Sequence, residues 1–325
     1  MIAAYLEYPS WLSPQIAQGL PIRWYGVMYL IAFGVTFLLF RHEARRSGLT
    51  QDRDEIATFF YWVILGALLG GRLFYVFVFG DRSAYLQEPW RIVWPFTNGR
   101  FTGIQGMSYH GGLLGAIAGV VLFARVHRAN LLDWGDTLAV AAPLGYTFGR
   151  IGNFINGELT GRVTTVSWGM IFPQVPRYPI DEPWVGDMVE QTDVPVPTGT
   201  FMVNLPRHPS QLYEAALEGL VLWLILWFVF RPRRLFPGAH IALYVVGYGL
   251  ARFLAEYFRA TDEVVGYLVA LGDRPPLPQF TSSVLHLTEG QLISLAMVGA
   301  GLLLFIVLRL FAPQEQTVET FDAGE

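Results

Sequence analysis

Residues 291–311 read Gln291-Leu-Ile-Ser-Leu-Ala-Met-Val-Gly-Ala-Gly-Leu-Leu-Leu-Phe-Ile-Val-Leu-Arg-Leu-Phe311, and Arg309 is the only charge among them. A run of about 20 apolar residues crosses the hydrocarbon core of a bilayer as one helix. Six more apolar runs precede it, at about Trp24 to Phe40, Ile56 to Phe79, Tyr109 to Ala124, Leu131 to Phe148, Leu212 to Phe230 and Ala239 to Phe258. Composition agrees: 53% of the 325 residues are hydrophobic, mean hydropathy is +0.39, and charged residues make up 15%, against about 25% in a soluble domain. The expected fold is an all-α integral membrane protein of about seven transmembrane helices.

The basic residues orient these spans. The first connection carries Arg41, Arg45, Arg46 and Arg53, the third Arg125 and Arg128, the fifth Arg231, Arg233 and Arg234. Arginines close to span ends mark the cytoplasmic side, so the N-terminus is expected outside and the C-terminus in the cytoplasm. Residues 1–23 have no cleavable-signal pattern, since Arg23 is their only basic residue, and are expected to lie in the interface. The membrane body then comprises 24–160 (spans one to four, with an outward arm at about 80–108) and 208–312 (spans five to seven). Trp90 and Trp94 suit the arm to the headgroup layer. Residues 161–207, rich in proline, are expected to form a small outward-facing head, α/β or β-rich, and 313–325 a disordered acidic tail.

Several classes of function are excluded. The net charge of −4 lacks the basic balance of nucleic-acid binding. Without cysteine the chain makes no disulfide, thiolate site or thioester intermediate. Its six histidines lack ligand spacing, so no metal is expected. All 22 basic residues are Arg, which stays ionised and grips phosphate or carboxylate with a planar fork.

Charge inside the spans carries the chemistry. An Arg within a spanning helix is costly unless it is paired or faces a polar cavity. In the sixth span, spacings of four, four and three put Tyr248, Arg252, Glu256 and Arg259 on one face. That face is either a packing network or an anion site, and by itself it is net positive. The fourth span ends in Gly149-Arg150-Ile151-Gly152-Asn153-Phe154-Ile155-Asn156-Gly157-Glu158, followed by Gly161 and Arg162. So many Gly, Asn and charged residues beside an apolar run predict a broken helix end lining a polar cavity. His110, in Gly106-Met-Ser-Tyr-His-Gly-Gly112, is the side chain suited to proton exchange near neutral pH. Arg207-His208-Pro209-Ser210-Gln211-Leu212-Tyr213-Glu214 opens the fifth span, with Ser210 expected as its N-cap. Gly70, Gly71 and Arg72 predict close helix packing, with Arg72 paired across helices.

The 149–158 motif with Gly161 resembles the signature of the prolipoprotein diacylglyceryl transferases. Tyr25-Gly26, His110-Gly111-Gly112, the 207–214 stretch, and Tyr248-Gly249 with Arg252, Glu256 and Arg259 follow in that family's order. The resemblance covers most of the membrane part but not 164–203, 261–285 or the tail. It implies a multi-pass enzyme of the bacterial inner membrane, with seven spans, a periplasmic head and a site toward the outer leaflet. It also implies transfer of the diacylglyceryl group of phosphatidylglycerol to the lipobox cysteine of a prolipoprotein, giving a thioether and glycerol phosphate. Membrane lipids are further partners, and no cofactor is implied.

On this reading Arg150 and Arg252 take the headgroup phosphate. Glu158, Glu256 and Asn153 orient them and bond the glycerol hydroxyls, while Tyr25 and Tyr248 hold the ester region. Asn156, Gly161, Arg259 and His208 complete the binding set. His110 is the general base for a thiol whose ordinary pKa is about 8.5. The competing readings are a transporter of an organic anion or lipid through the same Arg-lined cavity, and a lipid-binding scaffold in which the Arg–Glu sets are structural.

Overall fold

The computed structural model describes residues 5–17, 22–97, 99–101, 106–233, 235–260, 266–270 and 286–312. The expected disordered tail, 313–325, and most of the 261–285 connection lie outside them. The chain divides into two compact units: residues 1–36 with 139–325, and residues 37–138.

Seven long helices occur among the described residues. They are α1 (Trp24–Ser47), α2 (Arg53–Phe79), α4 (Tyr109–His127), α5 (Leu131–Asn156), α7 (Ser210–Phe230), α8 (Ala239–Glu256) and α9 (Glu289–Phe311), with a short α3 (Arg82–Gln87) after α2 and α6 (Pro183–Thr192) after α5. Five of the seven, α1, α2, α4, α7 and α9, are long and apolar enough to cross a membrane. The other two, α5 and α8, contain Arg150, Arg252 and Glu256. The protein is thus a helical, multi-pass membrane protein in which α5 and α8 carry charges of the candidate site.

Local chemistry sets the helix ends. The Asp52 carboxylate accepts the Asp54 N–H at the start of α2, and the Ser108 hydroxyl accepts that of Gly111 in α4. Thr288 and Gln291 form a reciprocal capping box on α9. One expectation is corrected here. The Gly149–Asn156 stretch does not break the helix: α5 runs through it and stops at Gly157, whose φ of +68° the absent Cβ permits. Gly149 and Gly152 are tolerated because the helix ladder is already long at that point.

In the second unit Phe40, Phe59, Phe123 and Trp134 form an aromatic core, with ring centroids 4.7–5.6 Å apart. Helices α2 and α4 meet along a glycine seam. A Cβ on Gly66 would lie 2.2 Å from the Gly115 carbonyl oxygen, and one on Gly70 would lie 2.4 Å from that of Gly111. This is the close packing expected of Gly70. Arg72 serves a different purpose from the one expected: its guanidinium donates to the carbonyls of Ile92 (2.6 Å), Arg91 (2.8 Å) and Gly106 (3.0 Å). Arg72 therefore ties the 80–108 arm to α2, because the arm's turns leave carbonyls that no helix ladder satisfies. The arm holds α3 and the pair β2 (Phe96–Thr97) and β3 (Arg100–Phe101), and it exposes Leu86, Trp90, Val93 and Trp94.

In the first unit, residues 161–207 have their own core. Val163, Tyr178, Val185, Met188, Val194, Val203 and Leu205 are buried together, with Trp184 and Tyr5 packed on them. Around this core lie α6, β4 (Met170–Ile171), and the antiparallel pair β5 (Tyr178–Pro179) and β6 (Met202–Val203). The N-terminal segment is tied to this core. Its β1 (Leu6–Glu7) pairs in parallel with β4, and the Tyr8 hydroxyl donates to the carbonyls of Phe154 and Ile155 at 3.1 and 2.7 Å. After Glu256 the chain continues to β7 (Tyr267–Ala270), antiparallel to β8 (His286–Thr288). Helices α8 and α9 pack through Gly249 and Gly301, where a Cβ would meet the partner helix's backbone at 2.9 and 3.0 Å.

Candidate functional site

The site lies in the first unit, where the end of α5 and the helices α7 and α8 converge. Arg150, in the last two turns of α5, is reached by Glu214 of α7: its Nε lies 2.8 Å from Glu214 Oε2 and 2.6 Å from the Tyr146 hydroxyl. Tyr146 in turn donates to Glu218 Oε2. Arg252 of α8 lies 2.6 Å from Glu256, 3.5 Å from Glu218 and 3.6 Å from Glu214. Arg259, just beyond α8, lies 3.1 Å from Glu214. Glu256 also accepts the Thr288 hydroxyl at 3.3 Å, beside the first turn of α9, where backbone N–H groups favour negative charge.

Sequence reasoning therefore gave no role to three members, Tyr146, Glu218 and Glu214, the last quoted only within the 207–214 stretch. Their signal was available: Glu214 and Glu218 stand four apart, on one face of an otherwise apolar span. Their presence corrects the net-positive stripe read from α8 alone, because Arg150, Arg252 and Arg259 face Glu214, Glu218 and Glu256. The balance is uneven in space. The arginines keep 14, 17 and 24% of their side-chain surface open, whereas Glu214, Glu218 and Glu256 keep 1, 0 and 7%. The carboxylates form a buried floor that orders the guanidiniums, and the guanidiniums are the accessible layer.

The other expected residues of the first unit fall around this core. Asn153 accepts from Arg150 Nη1 at 3.4 Å and donates to Glu158 at 2.9 Å, and Asn156 also donates to Glu158, at 3.3 Å. Tyr25 packs beside Gly152, and its hydroxyl is 2.9 Å from that of Tyr29. The Tyr248 ring stands edge-on to Tyr146 at 5.8 Å. His110 belongs to the other unit, exposed in the first turn of α4 against the Tyr109 ring. A cavity of about 380 Å³ opens in the first unit between Glu158, Thr160, Arg207, Arg259 and Ala260 on one side and the 174–176 loop on the other.

Gly161 and His208 act through the backbone. The Gly161 N–H donates to the His208 carbonyl, and the Arg162 N–H to that of Phe258, so the chain leaving α5 is stitched between two other segments. A Cβ on Gly161 would lie 2.4 Å from the Phe258 oxygen and 2.6 Å from the His208 oxygen. Gly161→Ala is expected to cost about 1–3 kcal/mol, seen as a lower unfolding midpoint in detergent, whereas Gly186→Ala, inside α6 with open space at its Cβ, should not lower the midpoint.

The His208 ring is buried against Phe258 and Tyr213. Burial, helped by the nearby Arg162 charge, pushes its pKa down to about 4. Below about pH 6.5 the unfolded chain takes up a proton that the native ring refuses. Stability should therefore fall as pH drops from 6.5 toward 4, and His208→Gln should flatten that slope. Ser210 is not the N-cap it was expected to be. It is the first residue of α7, and its hydroxyl donates to the Leu159 carbonyl at 3.2 Å, while Gln211 holds the Glu158 carbonyl at 2.6 Å. Both side chains satisfy the loop after α5, whose carbonyls have no helix ladder.

This is a helical multi-pass membrane protein whose site sets ordered guanidiniums over buried carboxylates. Residues 14–307 match the model of the prolipoprotein diacylglyceryl transferase family. The chain belongs to that family. It is 45% identical over 311 residues to the phosphatidylglycerol–prolipoprotein diacylglyceryl transferase of Treponema pallidum, covering 91% of this chain and 93% of that one. The Treponema denticola protein of the same name is 45% identical over 322 residues (94% and 95%), and that of Chlorobaculum tepidum 38% over 300 residues (90% and 89%).

Proposed function

We propose that the chain transfers the diacylglyceryl group of phosphatidylglycerol to the thiol of a prolipoprotein's lipobox cysteine. The observation that carries this reading is the layering of the site, with Arg150, Arg252 and Arg259 accessible above Glu214, Glu218 and Glu256. In the reaction a C–S bond forms at the glyceryl carbon, its C–O bond to phosphate breaks, and glycerol phosphate leaves with the bonding electrons. Negative charge grows on the phosphate, where preorganised guanidiniums stabilise it most. Glu158, exposed and held by Asn153 and Asn156 at the rim of the cavity, suits the glycerol hydroxyls. Tyr25 and Tyr248 line the ester region, and Gly161 with His208 holds the loop that shapes it. The thiol proton passes to His110.

In this reading the seven long helices span the inner membrane, with the N-terminus and the 161–207 head outside, the C-terminus in the cytoplasm and the site toward the outer leaflet. The arginine clusters beyond α1 and α4 support that orientation. No observation favours the transporter.

The test mixes purified protein, phosphatidylglycerol and a lipobox peptide, and follows the peptide by mass spectrometry. The expected product is a diacylglyceryl adduct on the cysteine, formed about a hundredfold or more slowly by His110→Gln, within the range for loss of a general base. Absence of any adduct from folded protein would overturn the transferase reading, and a near-normal rate with His110→Gln would remove His110 from the proton transfer.

A further inference from the structure

At the C-terminal end of α1, within the second unit, a pocket of about 470 Å³ is lined by Leu38, Arg41, His42, Arg45, Arg46 and Gln51. None of these residues belongs to the arginine cluster of the first unit. Three guanidiniums here fall within six residues of one helix, and Arg41 and Arg45 are four apart, a spacing at which like charges repel. The carboxylate on this stretch is already engaged: Glu43 takes both forks of Arg46 at 2.9 Å. Among the described residues Arg41 and Arg45 form no ion pair, and Arg41 Nε is shut off from solvent with no hydrogen-bond partner. Asp52, Asp54 and Glu55, in or beside the opening turn of α2, do not line the pocket. Gln51 closes one side by donating to the Arg45 carbonyl at 3.2 Å.

Membrane orientation explains why cations stand at this end of a helix, but it requires only their charge and not a cavity between them. The cavity with its unmatched guanidiniums calls for an anion with several acceptor oxygens, which is the chemistry of phosphate. One lining residue indicates where that phosphate comes from. Leu38 stands three residues before Arg41 on the same helix and is 61% exposed, so apolar surface adjoins the cations. A phospholipid carries an acyl chain beside its phosphate, and a free phosphate does not.

We propose that this pocket binds the phosphate of an anionic phospholipid, with Arg41 and Arg45 as its principal donors and Leu38 against the acyl chain. Its occupant offsets a repulsion that the described residues leave uncompensated.

The experiment uses the full chain in phosphatidylcholine nanodiscs, with dioleoyl phosphatidic acid as the probe, since that lipid lacks the glycerol phosphate leaving group of the transfer reaction. Native mass spectrometry counts retained probe, and thermal unfolding reports its effect on stability. Phosphatidic acid is expected to be retained and to raise the unfolding midpoint saturably. Arg41→Gln with Arg45→Gln should weaken that binding about tenfold or more, while Arg41→Lys with Arg45→Lys keeps most of it. Both double variants should form diacylglyceryl adduct at the unsubstituted rate, which separates this site from the transferase cluster. If the double Gln variant does not fold, Arg45→Gln alone, at an exposed position, carries the comparison. Equal binding of phosphatidic acid by the Gln variant would overturn the proposal. Inorganic phosphate matching the lipid's stabilisation at equal concentration would overturn the lipid as occupant.

Discussion

Arg252→Ala is expected to lower the rate of diacylglyceryl adduct formation by a factor of about 100–1,000, the usual cost of removing one preorganised donor to a developing charge. Arg252 is one of three guanidiniums accessible above the carboxylate floor, and its fork reaches Glu256 at 2.6 Å and Glu218 at 3.5 Å. Those contacts fix where its remaining N–H groups lie before substrate arrives, so the loss should fall on turnover more than on apparent substrate affinity. Arg252→Lys separates charge from geometry. It restores a cation beside Glu256 and should return the unfolding midpoint to that of the parent, yet recover only part of the rate, because an ammonium lacks the planar fork. A parent-like rate with Arg252→Ala would sink the phosphate role. A midpoint that Arg252→Lys fails to restore, with activity falling in proportion to folded protein, would instead favour the scaffold reading.

Glu214→Gln is expected to act on stability first. Its carboxylate is 1% exposed and lies within 3.6 Å of Arg150, Arg252 and Arg259, so it bridges all three guanidiniums. Neutralising it leaves three arginines against Glu218 and Glu256 and removes the buried half of each pair, and breaking a buried pair in this way costs about 3–5 kcal/mol. The check is unfolding in mixed micelles, with Glu158→Gln as the companion. Glu158 is exposed and its partners are neutral amides, so its loss should spare the midpoint and affect transfer. Equal midpoints for Glu214→Gln and the parent would mean that the carboxylate floor does not hold the guanidiniums in place.

Much of the site was legible from residue identity. Arg150, Asn153, Glu158, Arg252, Glu256 and Arg259 were singled out because charge and amide groups inside apolar runs need a polar purpose, and the structure brings all six into one network. Reading them helix by helix misjudged the balance. The α8 face is positive alone, and Glu214 and Glu218 were given no role because four residues of spacing on α7 says nothing about which helix it faces. The Gly149–Asn156 stretch misled in another way. Its glycines lower helix propensity, but a helix already many turns long extends at small cost per residue, and the break waits for the positive φ at Gly157.

Sequence by itself determined the membrane class, the start or end of most long helices, and the residues with no reason to be in a bilayer other than chemistry. Apolar run length and local capping are properties of contiguous residues, so a linear reading captures them. Tertiary structure alone decided that Arg72 anchors the arm, that the N-terminal strand pairs with Met170–Ile171, and that the carboxylates of α7 lie beneath the arginines of α5 and α8. Each of these joins groups from distant parts of the chain. A guanidinium or a strand edge can be satisfied by many partners, and which one it meets is settled only when the helices pack.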